Sequence, residues 1–165
     1  MIKAVFFDIG NVLLRFNPKE VIKEIAGAIG RHPFKVAQFI WTSRKVEALE
    51  RGELGTDELF RLFKKELEYA GTFAQFCKLW CDHFRLERRT AAILKAVAKR
   101  VHTYLLSNTH ALHYDFIRRH YAFTRHVRGA ILSHEVGMRK PEPRIYEAAL
   151  KIAGVEAPEA VLVDA

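Results

Sequence analysis

Asp8 closes an apolar, partly β-branched run, Ile2-Lys3-Ala4-Val5-Phe6-Phe7, and Gly10-Asn11 breaks the pattern just after it as a tight turn would. A carboxylate so placed sits at the C-terminal tip of a strand. In open α/β sheets that tip is where ligands bind, and a carboxylate there can face solvent without uncompensated burial. A strand ending in a plain Asx turn is the structural alternative for these residues alone. Two other groups carry chemistry-bearing side chains. Cys77 and Cys81 lie four apart in Phe76-Cys77-Lys78-Leu79-Trp80-Cys81, a spacing that puts both on one helix face and does not suit a disulfide. A zinc site there would need further ligands nearby. His110 and His113, three apart, could share a helix face, and the expected reading is polar surface histidines on a basic helix.

The elements that must position these groups follow from pattern and composition. With 165 residues, half of them hydrophobic, the chain can bury a real core and is expected to be one domain with an inserted module. Its apolar stretches are too short for a membrane span, and Asp8 interrupts what would be a signal peptide's apolar region, so a cytoplasmic protein is expected, without membrane contact. The free-thiol reading of the cysteines points to the same reducing compartment. Lys and Arg number 27 against 19 Asp and Glu, a formal net charge of +8, which attracts anions. The basic residues are spread along amphipathic faces, and no aromatic-basic interleaving accompanies them, so nucleic acid is not the expected partner.

Along the chain, Asn17-Pro18-Lys19-Glu20 is a helix start, and Val21, Ile22, Ile25, Ala26 and Ile29 carry that helix to Gly30. Helical spacing continues over Pro33 to Trp41, Val46 to Leu49, Thr56 to Leu67 and Phe73 to Phe84, with Phe39, Trp41 and Trp80 expected to pack among these helices. No strand is expected between Arg15 and Phe84. A helix over Arg89 to Arg100 then leads to a strand, Val101 to Leu106, that stops at Ser107-Asn108-Thr109. A helix from about Ala111 to His120, a third strand over Val127 to Ser133, a helix over Glu142 to Ala153 behind Lys140-Pro141, and a fourth strand, Ala160 to Asp164, complete the pattern. Strands alternating with helices predict a parallel sheet with right-handed crossovers.

Four segments taken in order, Phe7-Asp8-Ile9-Gly10-Asn11-Val12, Leu106-Ser107-Asn108-Thr109, Gly137-Met138-Arg139-Lys140-Pro141-Glu142 and Leu162-Val163-Asp164, resemble the haloacid dehalogenase superfamily of phosphohydrolases. The Gly10-Asn11 variant, Gly-Met-Arg-Lys-Pro and the stretch Glu50-Arg51-Gly52-Glu53 look like the helical-cap branch, and within it the bacterial sugar-phosphatase subgroup that includes α-glucose-1-phosphate phosphatase. The resemblance implies an α/β fold: a Rossmann-like parallel sheet of strand order 4-1-2-3, its fifth strand absent, with an inserted helical-bundle cap. Core 1–14 plus 86–165 and cap 15–85 are the implied domains. The implied function is a Mg²⁺-dependent phosphatase acting on a small-molecule phosphate ester such as a sugar phosphate. Asp8 would be the nucleophile, forming an aspartyl-phosphate. Ser107, Asn108 and Lys140 would hold the phosphate, with Ser107 and Lys140 also serving catalysis. Mg²⁺ would take Asp8, the Gly10 carbonyl and Asp164. Arg15, Arg44 and Lys45 could reach a phosphosugar from the cap, although a solvated face is the expected placement.

Two departures from the family pattern bear on activity. Gly10 stands where much of the superfamily has a second Asp that protonates the leaving group, help worth roughly 10²–10⁴-fold. Ala165 stands where a further acid is expected, and the sequence ends there, before a fifth strand and closing helices. The implied truncation would weaken metal binding and leave the fourth strand as an exposed edge through which the chain could self-associate. The alternative function is a weakly active or inactive relative that binds phosphometabolites or a protein partner. Dehalogenation is a weaker rival, because the residue two after Asp8 is not aromatic.

Overall fold

The structure, a computed structural model, describes residues 1–42 and 44–165, Thr42 by its backbone alone. Strand β1 (Ala4–Phe7) leads through Asn11, which is in the left-handed region (φ 57°), into a two-residue strand, β2 (Leu14–Arg15). Helix α1 (Pro18–Ile29) follows. Its Asn17 cap accepts a hydrogen bond from the Lys19 amide at 3.0 Å, Pro18 takes the first turn, and Gly30 ends it at φ 65°. Next come α2 (Pro33–Ala37), a π-helical segment (Gln38–Thr42), α3 (Lys45–Glu50), α4 (Thr56–Glu66) and α5 (Phe73–Cys81). Strand β3 (Arg85–Leu86) pairs antiparallel with β2, so a short ribbon ties the two ends of the helical stretch together. Then α6 (Arg88–Val97), β4 (His102–Ser107), α7 (Ala111–His120), β5 (Gly129–Leu132), the one-turn α8 (Ser133–Val136), α9 (Pro143–Ala153) and β6 (Ala160–Val163) follow in order.

The four longer strands form one parallel sheet in the order β5-β4-β1-β6, which is the 4-1-2-3 order expected of the sequence's four strands. Both faces are covered, which explains why the strands read as continuous apolar runs. Val5, Phe7 and Leu105 pack on one face with Leu94 of α6 and Ile117 of α7. Phe6, Tyr104, Leu106 and Ile131 pack on the other with Ile145 and Ala149 of α9. β6 lies at one edge of the sheet, and its Val161 and Leu162 are each 39% exposed.

The helical stretch has a core of its own. Ile22, Ile25, Val36, Phe39, Leu59, Phe63, Phe76 and Trp80 form one buried cluster. Its rings meet mainly edge to face or tilted, Phe39 to Phe63 at 5.5 Å and Phe63 to Phe76 at 5.1 Å between centroids. Burying a side chain of this size contributes about 1.5–3 kcal/mol, enough for these short helices to hold together by packing where their length alone would not suffice.

Several sequence expectations are corrected. Trp41 does not pack in the helical core: it is 55% exposed, because residues two apart lie on opposite sides of a helix and Phe39 takes the inward one. Arg15 is in a strand, since the ribbon pairs it with Arg85. The last helix of the stretch ends at Cys81, before Phe84. The third strand stops at Leu132, and Ser133 opens α8. His110 is buried and His113 is largely so, their tilted rings 4.0 Å apart against α5, where apolar burial outweighs the polar reading of the helix. Lys45 is mostly covered, pairing with Glu66 at 3.0 Å and lying 4.6 Å from the centre of the Phe39 ring, while Arg15 is exposed and pairs with Glu87.

Candidate active site

Parallel strands end on the same edge of a sheet, so the side chains just past β1, β4 and β6 converge although they are separated by up to 156 positions, from Asp8 to Asp164. Asp8 follows β1 and is 8% exposed. Its Oδ1 accepts from the Ile9 amide at 2.8 Å and lies 3.1 Å from the Lys140 ammonium, and the Ser107 hydroxyl at the tip of β4 donates to the same carboxylate. Lys140 Nζ also donates to Asp164 Oδ2 at 2.9 Å, so one ammonium bridges two carboxylates. Burial pushes the Asp8 carboxyl above the usual range, opposed by the Lys140 charge and the hydrogen bonds from Ser107 and Lys140. Asp164 is less buried: burial pushes it up, but hydrogen bonds with Lys140, Asp8 and the Ala165 amide outweigh that and hold it low.

The loop that delivers Lys140 is fixed by backbone, not by its own side chain. Asn108 Nδ2 donates to the Lys140 carbonyl at 3.0 Å, and the Lys140 amide donates to Asn108 Oδ1 at 2.7 Å. Asn108 thus uses both ends of its amide to dock the loop. A second reciprocal pair joins neighbouring tips: the Thr109 amide donates to Ser133 Oγ at 2.9 Å, and that hydroxyl donates to the Thr109 carbonyl at 3.0 Å. Ser133 is fully buried, so both groups need these partners.

The donor set for a cation is all oxygen: the carboxylates of Asp8 and Asp164, with the Gly10 carbonyl in the turn just beyond. Among the described residues no group of three or more His, Cys, Asp or Glu converges. One or two carboxylates with oxygen donors and water is the set Mg²⁺ takes, and not one a softer transition metal would prefer. The residues therefore fit that ion. Cys77 and Cys81 are free thiols, and burial raises both, Cys81 up to about 12, which disfavours the thiolate.

Above the strand tips, the helical stretch meets the Lys140 loop through charges that the sequence did not point to. Arg139 Nε donates to Glu50 Oε2 at 2.7 Å, and Arg51 Nη2 donates to Glu142 Oε1 at 2.6 Å. Burial raises the Glu50 carboxyl against the pull of Arg139. Gly52 has φ +72°, and a Cβ there would lie 2.3 Å from the His134 carbonyl oxygen, so only glycine permits this approach. Between tips and helices lies a cavity of about 200 Å³ that includes Gly10, Ser107 and Asn108 on its floor.

The structure brings Asp8, Ser107, Lys140 and Asp164 into one cluster, with Asn108 beneath as a docking residue and Gly10 beside the cavity. It does not bring Arg15 or Lys45 to the cluster. Sequence reasoning missed Thr109, Ser133, Arg139 and Glu50 as supports. Arg139 lies within the quoted Gly-Met-Arg-Lys-Pro segment and Glu50 opens Glu50-Arg51-Gly52-Glu53, so opposite charges in two singled-out segments were the available signal.

A family model described as haloacid dehalogenase-like hydrolase matches residues 2–164. A sesquiterpene phosphatase of Aspergillus oryzae is 28% identical over 169 aligned positions, covering 98% of this chain and 80% of that protein. Among solved structures, an aspartate-to-alanine mutant of a HAD family enzyme from Bacteroides thetaiotaomicron, in complex with magnesium and inorganic phosphate, superposes with a TM-score of 0.83 at 21% identity, covering 98% of this chain and 84% of that one. A 2-haloacid dehalogenase from Pseudomonas syringae gives a TM-score of 0.64 at 21% identity, covering 98% and 77%.

Proposed function

The chain belongs to the haloacid dehalogenase-like hydrolases, and we propose that it is a Mg²⁺-dependent phosphate monoester hydrolase working through an aspartyl-phosphate on Asp8. The single observation that carries this reading is the bridging of Asp8 and Asp164 by Lys140, at 3.1 and 2.9 Å, with Ser107 on the same carboxylate. A dianionic ester repels a carboxylate, so the site must supply positive charge and hold the attacking oxygen in line. Lys140 supplies a full charge beside the nucleophile, and the Ser107 hydroxyl is a donor for a phosphoryl oxygen. An Asp8 carboxylate oxygen attacks phosphorus, and the P–O bond to the leaving group breaks with its electron pair going to that oxygen. Water then attacks the aspartyl-phosphate, releasing inorganic phosphate and restoring Asp8. Asp8, Asp164 and the Gly10 carbonyl would hold Mg²⁺, which when bound neutralises phosphoryl charge.

In this reading residues 15–85 are the cap and 1–14 plus 86–165 the core, as in the helical-cap branch. The ribbon of β2 and β3 is the hinge, and cap closure excludes water from the reaction. A small phosphometabolite is the substrate class, with a sugar phosphate the member that the α-glucose-1-phosphate phosphatase resemblance favours. The phosphatase name of the Aspergillus relative supports phosphoryl over haloacid chemistry, as does the absence of an aromatic residue at Gly10. The free thiols support a reducing, cytoplasmic setting. No helix among the described residues is long and apolar enough to cross a membrane.

The test is phosphate release from a panel of esters with and without Mg²⁺, for wild type and Asp8→Asn. Metal-dependent release that Asp8→Asn lowers by roughly 10⁴-fold or more is expected. Ligand-induced thermal stabilisation with no release would instead identify a binder.

A further inference from the structure

The cavity beside the strand tips, reaching Ile9, Gly10, Ser107 and Asn108, is walled by apolar and aromatic side chains: Phe16, Ile22, Ile40, Trp41, Trp80 and Phe84. Trp41 is 55% exposed and Phe16 is 38% exposed, yet both line the cavity, so two large rings stand at its mouth facing water. Large apolar groups left open beside a polar floor mark a place where a ligand completes the burial. Most polar side chains of the wall are already engaged. Glu50 is held by Arg139 at 2.7 Å, His83 meets Glu24 at 3.0 Å, the Trp80 indole donates to His110 Nε2 at 3.4 Å, and His113 donates to the Trp80 carbonyl at 3.1 Å. Among the described buried side chains, His110 Nδ1 alone lacks a partner. A hexose in this space would lose water from several hydroxyls and find little in return.

Size narrows the class. An engineered apolar cavity of about 150 Å³ takes benzene, so a cavity of about 200 Å³ covers one ring or two fused rings and leaves most of a long chain outside its mouth. The floor points the same way: at Gly10 there is no acid to protonate a departing oxygen, and an aryl oxide leaves without one, carrying its electron pair and later taking a proton from water.

We propose that the substrate is an aryl phosphate of one or two rings, seated with its ring between Trp41 and Phe84 and its phosphate on the strand tips. This rests on the phosphatase reading above and replaces the sugar as the group carried by the phosphate. The experiment compares 1-naphthyl phosphate, glucose 1-phosphate, a long-chain isoprenyl phosphate and acetyl phosphate with the full chain and Mg²⁺. It adds their binding to the Asp8→Asn protein, where leaving-group reactivity plays no part. Naphthyl phosphate is expected to bind about 100-fold more tightly than glucose 1-phosphate and more tightly than the isoprenyl ester. Trp41→Ala, at an exposed position that does not hold the fold, is expected to cut that ratio about tenfold. Equal or better binding of the sugar or the isoprenyl ester, or a ratio untouched by Trp41→Ala, overturns the proposal. Acetyl phosphate separates the two readings: its Asp8-dependent hydrolysis without aryl preference sinks the substrate class alone. No hydrolysis of any ester sinks the phosphatase, leaving the binding ratio to decide the ring.

Discussion

The strand tips and the helical stretch above them are held by opposite means. At the tips four side chains from distant parts of the chain are fixed by short polar contacts, and even the loop carrying Lys140 is docked by two hydrogen bonds to one Asn108 side chain. In the helical stretch, order comes from rings packed on rings, with polar groups confined to its borders. Directional bonds fix atoms to a few tenths of an ångström, which in-line attack at phosphorus requires. Packing fixes shape and leaves chemistry to whatever fills the space. In the proposed function the chemistry therefore belongs to the tips, and the choice of ester to the helices.

Lys140→Ala is the strongest way to test that division within the tips. It removes the charge shared by Asp8 and Asp164 and leaves two carboxylates facing each other. A loss of about 10²–10³ in kcat is expected for every ester alike, with their order of preference preserved, as for deletion of one preorganised donor. Steady-state kinetics on the ester panel checks it. A change in preference as large as the change in rate would mean that the tips also choose the substrate.

The tips were the more legible region because their signal is local and sparse: an apolar run ending in a polar residue announces a strand tip at Asp8, Ser107 and Asp164 alike. Parallel topology then places such tips on one edge without further information. The helical stretch was legible only as helices. Phe39 and Trp41 are two apart in one apolar run, so they cannot both face inward on one helix, and nothing in that run says which of the two is buried. The sequence pattern puts Ser133 at the end of a strand, and cannot show its hydrogen bonds to Thr109, which depend on two tips lying side by side. The pattern of a basic helix puts His110 and His113 on the surface, and their burial depends on α5 arriving from a stretch 30 residues earlier.

Those histidines form the seam between the two regions, and acid should open it. Burial lowers His113 to about 4 and His110 well below its ordinary value of 6.5. Between pH 6.5 and about 4 the unfolded chain therefore binds protons that the folded chain refuses, so stability falls as pH falls through that window. For His113 alone the loss reaches about 3 kcal/mol, roughly a few hundredfold in the folding constant. Asp8 has the opposite sign: its carboxyl is raised by burial, so the strain of holding it ionised is relieved as pH falls. Urea unfolding at pH 7 and pH 4.5 is expected to show a smaller loss in His113→Gln than in wild type. Identical pH dependence in the two proteins would place the acid-sensitive groups elsewhere.

The smallest expected effect sharpens the comparison most, because it moves a function between the regions. A Cβ at Gly10 would meet nothing closer than the edge of the Phe16 ring at 3.6 Å, an ordinary contact, and Gly10 does not have a positive φ. Gly10→Asp should therefore fold, setting a carboxyl two residues beyond the nucleophile and beside the cavity. A well-supported general acid is worth roughly 10²–10⁴-fold, but one installed without partners to tune its proton affinity should recover only about tenfold. The gain should appear with alkyl esters, whose alkoxides need a proton to leave, and be nearly absent with aryl esters, whose oxides do not. Measured as the ratio of kcat for an alkyl ester to kcat for naphthyl phosphate, the substitution is expected to raise it about tenfold. If both esters gain equally, the leaving group was short of a proton throughout, and the absence of an acid at Gly10 says nothing about which ester the cavity takes.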